Sequence, residues 1–371
     1  MNAFATPASA SKSRFRELKV VTKVRESSII TSFHLEPVEP EGWRPFEAGQ
    51  FLVFRFPVRE GKDFVLRNYS VSSSPERKGS YRITVKREAA PRADVPGGVS
   101  SCHLHDHVEV GDVLTAEGPR GDFVLDRQSS RPVVLLSGGV GLTPLVSMLH
   151  ALAGTQRRVF FIHACENGEV HALRDEVEAL AASRPGMAVH FCYRFPTDAD
   201  RAAGCHHSEG VITRELLQSL LPLDDYDFYL CGPSPFMQAV HGILRGLGVP
   251  RQRISYEFFG PATLLEAPAE PAPVQTPPLA PAAVLDGAMT VEFRKSGRKG
   301  VWNPAAESLL AFAEDQGLEP EFSCRAGVCG TCKSKLLAGE VAYFEEPLDD
   351  LAPGEVLLCC SKPQGPIVLD I

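Results

Sequence analysis

The chain has 371 residues, 44% hydrophobic and 23% charged, with a formal net charge of −8. That length predicts two to three domains, and the composition excludes a fibrous or wholly disordered protein. The acidic balance gives no support to a nucleic-acid partner, and with no apolar run of 18 residues no membrane-spanning helix is expected.

Residues 1–13 are Ala/Ser-rich, lack the charged and apolar segments of a secretory signal, and are expected to form a disordered tail. Ten cysteines without the spacing of a disulfide framework predict a reducing, cytoplasmic compartment. From 14 to 128 the chain shows short alternating runs at 17–25, 29–37, 50–57, 68–74, 81–87 and 112–117, broken by Gly and Pro turns. Period-2 alternation at this spacing predicts an antiparallel β-barrel. Within it, Arg67-Asn68-Tyr69-Ser70 is placed at the start of a strand. Thr84-Val85-Lys86-Arg87-Glu88 closes another, and Gly97-Gly98-Val99-Ser100 opens a short helix. A guanidinium, an aromatic face, a hydroxyl and a helix N-terminus suit a flavin, whose pyrophosphate needs donors and whose ring needs a flat neighbour. Alone, R-x-Y-S is weak: a solvated Arg beside a core Tyr reads the same way.

From 129 to 261 the texture becomes α/β. A continuous apolar run at 133–136 and further strands at 159–163, 188–193, 227–230 and 254–258 alternate with helices at 143–153, 173–182, 213–220 and 235–247, which predicts a parallel sheet. Ser137-Gly138-Gly139-Val140-Gly141-Leu142-Thr143-Pro144 lies between strand and helix, where a dinucleotide phosphate sits in such sheets. It departs from G-x-G-x-x-G because position 144 is Pro. Cys231-Gly232-Pro233 follows a second strand, and Tyr256-Glu257-Phe258-Phe259-Gly260-Pro261 ends the region.

Residues 262–287 read as a linker: seven prolines fall between 261 and 281, and such a stretch extends rather than buries a core. The last part, 288–371, carries 13 acidic and 8 basic side chains, a net of −5, including Glu345, Glu346, Asp349 and Asp350. This is either a solvated acidic face or a landing surface for a basic redox partner. A strand at 290–293 and a helix at 309–316 precede Cys324-Arg325-Ala326-Gly327-Val328-Cys329-Gly330-Thr331-Cys332. C-x4-C-x2-C followed by a distant fourth cysteine is the plant-type [2Fe-2S] pattern. Structural zinc is the rival, but zinc sites show paired short spacings and no histidine occurs in 288–371. The fourth ligand is Cys359 or Cys360; at a strand end only one of the two can face the iron.

Residues 14–261 resemble the ferredoxin–NADP reductase superfamily, and most closely the reductase half of flavohaemoglobins, through R-x-Y-S, V-K-R-E, G-x-V-S, G-G-x-G-x-T-P, C-G-P and Y-E-x-F-G-P. The resemblance implies that Arg67, Tyr69, Ser70, Val85, Lys86, Gly98, Val99 and Ser100 bind flavin, FAD rather than FMN. It assigns Gly138, Gly139, Gly141, Thr143, Cys231, Gly232 and Pro233 to the pyridine nucleotide. Phe259 would lie against the flavin, and Ser70, Cys231 and Glu257 at the hydride-transfer site. Plant-type ferredoxins, which 288–371 resembles, select Cys359 as fourth ligand with Cys324, Cys329 and Cys332. The fold class expected is therefore a β-barrel flavin domain, an α/β nucleotide domain and an α+β (β-grasp) ferredoxin domain.

Glu166, with no basic residue in Ala164–Asn167, favours NADH over NADPH, and Arg194 is the residue that would reverse this. The order of parts resembles oxygenase reductases of the phthalate dioxygenase type, implying a Rieske or di-iron terminal oxygenase as partner. The alternatives are a stand-alone reductase of quinones or a hybrid-cluster protein, or a redox-sensing module. His103, His105, His107 and Cys205-His206-His207 are not expected to bind metal, and Cys102, Cys165 and Cys192 are expected to be core.

Overall fold

The computed structural model describes residues 15–56, 65–89, 98–259, 289–304, 306, 308–318, 320–322, 327, 330–344, 347 and 351–371. The expected tail 1–13 and linker 262–287, Cys324, Cys329 and the acidic residues Glu345, Glu346, Asp349 and Asp350 lie outside them.

The first region forms strands β1 (Arg16–Arg25), β2 (Ile30–Pro37), β3 (Phe51–Phe56), β4 (Val65–Ser70) and β5 (Tyr81–Lys86), helix α1 (Val99–His107) and strand β6 (Val113–Arg120). All pair antiparallel in the order β4-β3-β6-β1-β2-β5. A bridge between Val71 and Ile83 joins the two edges, so the sheet closes. Alternate residues then point inward, and Leu18, Val20, Phe33, Phe54, Tyr81 and Ile83 fill the interior. The flavin-type motif sits at the end of β4, not at the start of a strand as expected. Val65 and Leu66 already pair with Phe56 and Arg55 on β3, whereas beyond Ser70 the chain leaves the sheet after a single bridge.

Six strands follow: β7 (Val133–Gly138), β8 (Val159–Cys165), β9 (Met187–Tyr193), β10 (Ser208–Glu209), β11 (Asp227–Gly232) and β12 (Ile254–Phe258). Between them lie α2 (Leu142–Ala153), α3 (Arg174–Ala182), α4 (Asp198–Ala203), α5 (Arg214–Leu220) and α6 (Ser234–Gly246). The sheet is parallel, in the order β10-β9-β8-β7-β11-β12. All of β7 and β11 is buried, which is why 133–136 reads as an unbroken apolar run. The strand order reverses between β7 and β11, so the crevice expected of a nucleotide site opens between their carboxyl ends. Helix α4 went unrecognised in the sequence because it is short and polar; Thr197 and Asp200 stabilise it through a reciprocal capping box. The barrel and this sheet share one apolar cluster, in which Ile30, Ala48, Phe123 and Leu125 pack with Leu135, Leu145, Met148 and Phe161.

The last region contains β13 (Thr290–Phe293), β14 (Arg298–Val301), α7 (Leu309–Asp315), β15 (Lys333–Ala338), β16 (Val341–Tyr343), β17 (Glu355–Leu357), β18 (Ser361–Pro363) and β19 (Ile367–Leu369). A mixed sheet runs β14-β13-β19-β15-β17, with β13 and β19 parallel, beside a β16-β18 pair. Helix α7, capped by the Ser308 hydroxyl, lays Leu309, Leu310 and Phe312 into a core with Phe293, Trp302 and Leu358. This is the expected β-grasp arrangement.

Candidate functional site

On the barrel, Tyr69 Oη and Ser100 Oγ are 2.9 Å apart, so the end of β4 and the first turn of α1 are joined. Burial pushes the Tyr69 phenol up to about 12, against the opposing effect of the Ser100 bond. Tyr69 therefore remains a neutral donor or acceptor at any physiological pH. Ser70 is 5% exposed, whereas Arg67 is exposed on the intervening pleat, its Nη1 donating to Leu66 O at 2.7 Å. Helix α1 begins on Gly98, which has no capping side chain, and this leaves the first-turn amides available to an anion. The Gly98 amide donates to Glu88 O at 2.8 Å and Glu88 N to Ser101 Oγ at 3.2 Å, tying the helix start to the end of β5. A Cβ on Gly98 would stand 2.5 Å from Ser101 Oγ. The donor set fits a flavin diphosphate, with Val99 half-exposed at the helix start. The Val85 side chain fills the barrel core and its carbonyl lies 2.8 Å from His105 Nε2, while Lys86 pairs with Glu88 at 3.0 Å.

The nucleotide half is built from backbone. Gly138 ends β7, residues Gly139–Gly141 form a single 3-10 turn, and α2 starts without a side-chain cap or an acidic residue in its first turn. Gly139 holds a φ of +53°, a conformation costly to other residues. Gly141 is required for a different reason: a Cβ there would lie 2.3 Å from the Cys231 carbonyl oxygen and 2.6 Å from Gly232 N. Gly138 and Gly232 both press on the Phe236 ring, each leaving 2.8 Å for a Cβ. Thus G-G-x-G and C-G-P, far apart in sequence, are one packed unit across the crevice, with Pro233 preceding α6. The uncapped helix and bare turn fit a dinucleotide pyrophosphate.

Thr143 is 2% exposed and its hydroxyl donates to Val140 O at 3.1 Å, so here it closes the turn from within. Cys231 and Glu257 are paired neighbours on β11 and β12. Burial, and after it the Glu257 carboxylate, push the fully buried Cys231 thiol well above its ordinary range, so it stays protonated. Phe259 packs against the apolar cluster shared by barrel and sheet. Just beyond β8 and β9, Glu166 and Arg194 face each other at 3.6 Å, both more than half exposed.

In the last region Gly327 N donates to Cys359 Sγ at 3.3 Å, and Cys359 N to Cys332 Sγ at 3.4 Å. Gly327 and Gly330 have φ of +67° and +70°, and a Cβ on Gly327 would come within 3.0 Å of Cys360 Sγ. Contrary to expectation, Cys359 and Cys360 lie in a 3-10 turn, residues Leu358–Cys360, rather than at a strand end. Cys360 Sγ points back to Leu357 O at 3.8 Å. Amides aimed at the sulfurs of Cys359 and Cys332 suit an iron–sulfur cluster.

Among the described residues no group of three or more His, Cys, Asp or Glu side chains could hold a metal. His207 Nδ1 accepts from Phe191 N at 3.0 Å, and His206 Nε2 lies 3.4 Å from Glu209 Oε1. Cys192 is buried as expected, but Cys102 and Cys165 are only partly so. One cluster went unseen in the sequence. Arg82 on β5 binds Glu176 on α3 with both nitrogens, at 2.6 and 2.8 Å, and Glu176 also meets His150 Nε2 at 2.6 Å. Burial alone would raise the Glu176 carboxyl, but the His150 and Arg82 bonds overcome it and hold it at about 2. Arg82 and Glu176 stand 94 positions apart, so no local pattern could link them.

Family models match in the same order: "Oxidoreductase FAD-binding domain" at 17–125, "Oxidoreductase NAD-binding domain" at 135–242 and "2Fe-2S iron-sulfur cluster binding domain" at 295–364. A flavohemoprotein of Halalkalibacterium halodurans is 43% identical over 253 residues, which are 68% of this chain and 61% of that protein. One of Bordetella pertussis is 43% identical over 248 residues, covering 66% of this chain and 61% of it. The chain thus spans about three-fifths of the length of these relatives. The flavohem-like FAD/NAD-binding domain of a Vibrio cholerae nitric oxide dioxygenase matches with TM-score 0.59 and 36% identity, covering 66% of this chain and 99% of that structure. Phthalate dioxygenase reductase, described as a modular structure for electron transfer from pyridine nucleotides to [2Fe-2S], matches with TM-score 0.55 and 25% identity over 96% of this chain and 98% of its own.

Proposed function

Because the chain belongs to the ferredoxin–NADP reductase family, in its flavohaemoglobin-like form joined to a plant-type [2Fe-2S] domain, we propose that it is an NADH-dependent reductase delivering electrons singly to a terminal oxygenase of the Rieske or di-iron kind. The observation that carries this reading is the order of three cofactor modules in one chain, an order that phthalate dioxygenase reductase matches over nearly its whole length. Bound flavin supplies the exchange between hydride and single electrons, and a bound cluster carries one electron at a time.

The protein's part is positioning. Arg67 and the first turn of α1 with Ser100 hold the flavin phosphates, while Tyr69 and Ser70 hold its ring end. The Gly138–Thr143 turn and Cys231–Pro233 seat the nucleotide, and the protonated Cys231 thiol offers a compact neutral contact beside Glu257. Cys332 and Cys359, with Cys324 and Cys329, hold the cluster. NADH is favoured because Glu166 would repel a 2′-phosphate and Arg194 is engaged by it. Contacts between the acidic cluster domain and a basic face of the oxygenase would guide docking.

An anaerobic titration with NADH, then NADPH, followed by visible absorbance and EPR, tests this. NADH is expected to bleach the flavin and bring up a reduced-cluster signal in step. Flavin bleaching with a permanently oxidised cluster would sink the relay.

A further inference from the structure

The flavin and nucleotide half-sites belong to different sheets, so the angle between the sheets is itself a variable of the reaction. We propose that Arg82, Glu176 and His150, with the Ser147–Ser73 bond, form a clamp that sets the position of the flavin motif relative to the nucleotide turn. This deepens the reductase reading and rests on it.

The clamp begins two residues beyond the flavin motif. Arg82 Nε donates to Ser72 Oγ at 3.0 Å and Nη2 to Ser72 O at 2.5 Å, fixing the guanidinium to the segment that follows Ser70. Its fork then grips both oxygens of Glu176 on α3, and Glu176 meets His150 on α2. Helix α2 is the helix that starts at the nucleotide turn, and a second bond leaves it directly: Ser147 Oγ donates to Ser73 O at 2.9 Å, fully buried. The segment after the flavin motif is therefore bonded on two sides to the helix after the nucleotide motif. The shared apolar cluster holds the sheets together but is non-directional. A bidentate Arg–carboxylate pair, 9% and 26% exposed, fixes direction as well as distance. None of these side chains belongs to the cofactor motifs; Arg82, Glu176 and His150 are positioning residues.

The test uses the full-length, flavin-loaded protein with Glu176→Gln and, should that variant fold poorly, His150→Gln. The limiting rate of flavin reduction at saturating NADH should fall about 10- to 100-fold, as misplacement near 1 Å costs in oriented reactions. NAD⁺ affinity and flavin content should stay within about threefold. A second readout is independent of turnover. In the wild type, NAD⁺ binding should slow amide deuterium exchange in 70–74 as well as in 138–153; in the variants only the second response should survive. A folded, flavin-loaded variant that keeps the wild-type limiting rate, or the wild-type response at 70–74, overturns the clamp. Failure of NADH to reduce the wild type would instead refute the reductase reading.

Discussion

The two halves of the candidate hydride-transfer site are made of different material. The flavin half relies mainly on side chains, a phenol and a hydroxyl 2.9 Å apart, a buried serine and an exposed arginine, with the uncapped first turn of α1 as its backbone part. The nucleotide half is built from backbone, brought together where three glycines leave no room for a Cβ. A side-chain site loses one bond per substitution and degrades by steps. A backbone site depends on two chain segments touching, so one methyl group separates them. The candidate cluster site lies between these extremes, with cysteine sulfurs and a glycine at positive φ, Gly327, whose amide donates to Cys359 Sγ.

The sharpest test is Gly141→Ala. Its methyl would meet the backbone of Cys231 at 2.3 Å, and no rotamer relieves a backbone clash. Stability should fall by about 3 kcal/mol or more, the range of severe overpacking. NADH affinity should drop at least 100-fold, by calorimetry, with flavin content retained. A mild loss would mean that the two loops do not touch in solution.

Next comes acid. Burial depresses His163 to about 3, below its ordinary 6.5, so its folded form refuses a proton that the unfolded form accepts. That stability is complete above pH 6.5 and is lost as pH falls from 6.5 toward 3. Glu176 adds a second loss between its ordinary 4.5 and about 2. Denaturant unfolding at stepped pH should show His163→Gln removing on the order of 2–4 kcal/mol of the decline across pH 6.5 to 3. An unchanged slope would place the acid sensitivity elsewhere.

For the cluster loop, Gly327→Ala combines a positive φ with Cys360 Sγ at 3.0 Å, whereas Gly330→Ala meets open space at a similar φ. Left-handed backbone alone costs about 1–2 kcal/mol. Iron content per chain should therefore fall more for Gly327→Ala. Equal losses would show that φ alone decides.

The smallest effect is expected on the side-chain half. Tyr69→Phe removes one hydrogen bond to Ser100, worth about 1 kcal/mol. FAD affinity should weaken about fivefold, with nucleotide binding intact. A loss as large as that of Gly141→Ala would erase the distinction between the halves.

Much of this was legible in the chain of residues. Alternation at 17–25 marked a strand with one face buried, and the unbroken 133–136 run marked a strand covered on both faces. The motif glycines, cysteines and R-x-Y-S were visible because their chemistry is local to a few neighbours. The ends of elements were less so: R-x-Y-S fell at the close of β4, and Cys359 in a 3-10 turn. What only the tertiary structure decided are the meetings between distant segments: Gly141 against Cys231, Gly327 against Cys359, and Arg82 through Glu176 to His150. A sequence carries the periodicity of each element, but a contact between residues 94 positions apart depends on how whole sheets pack, and no local pattern encodes that.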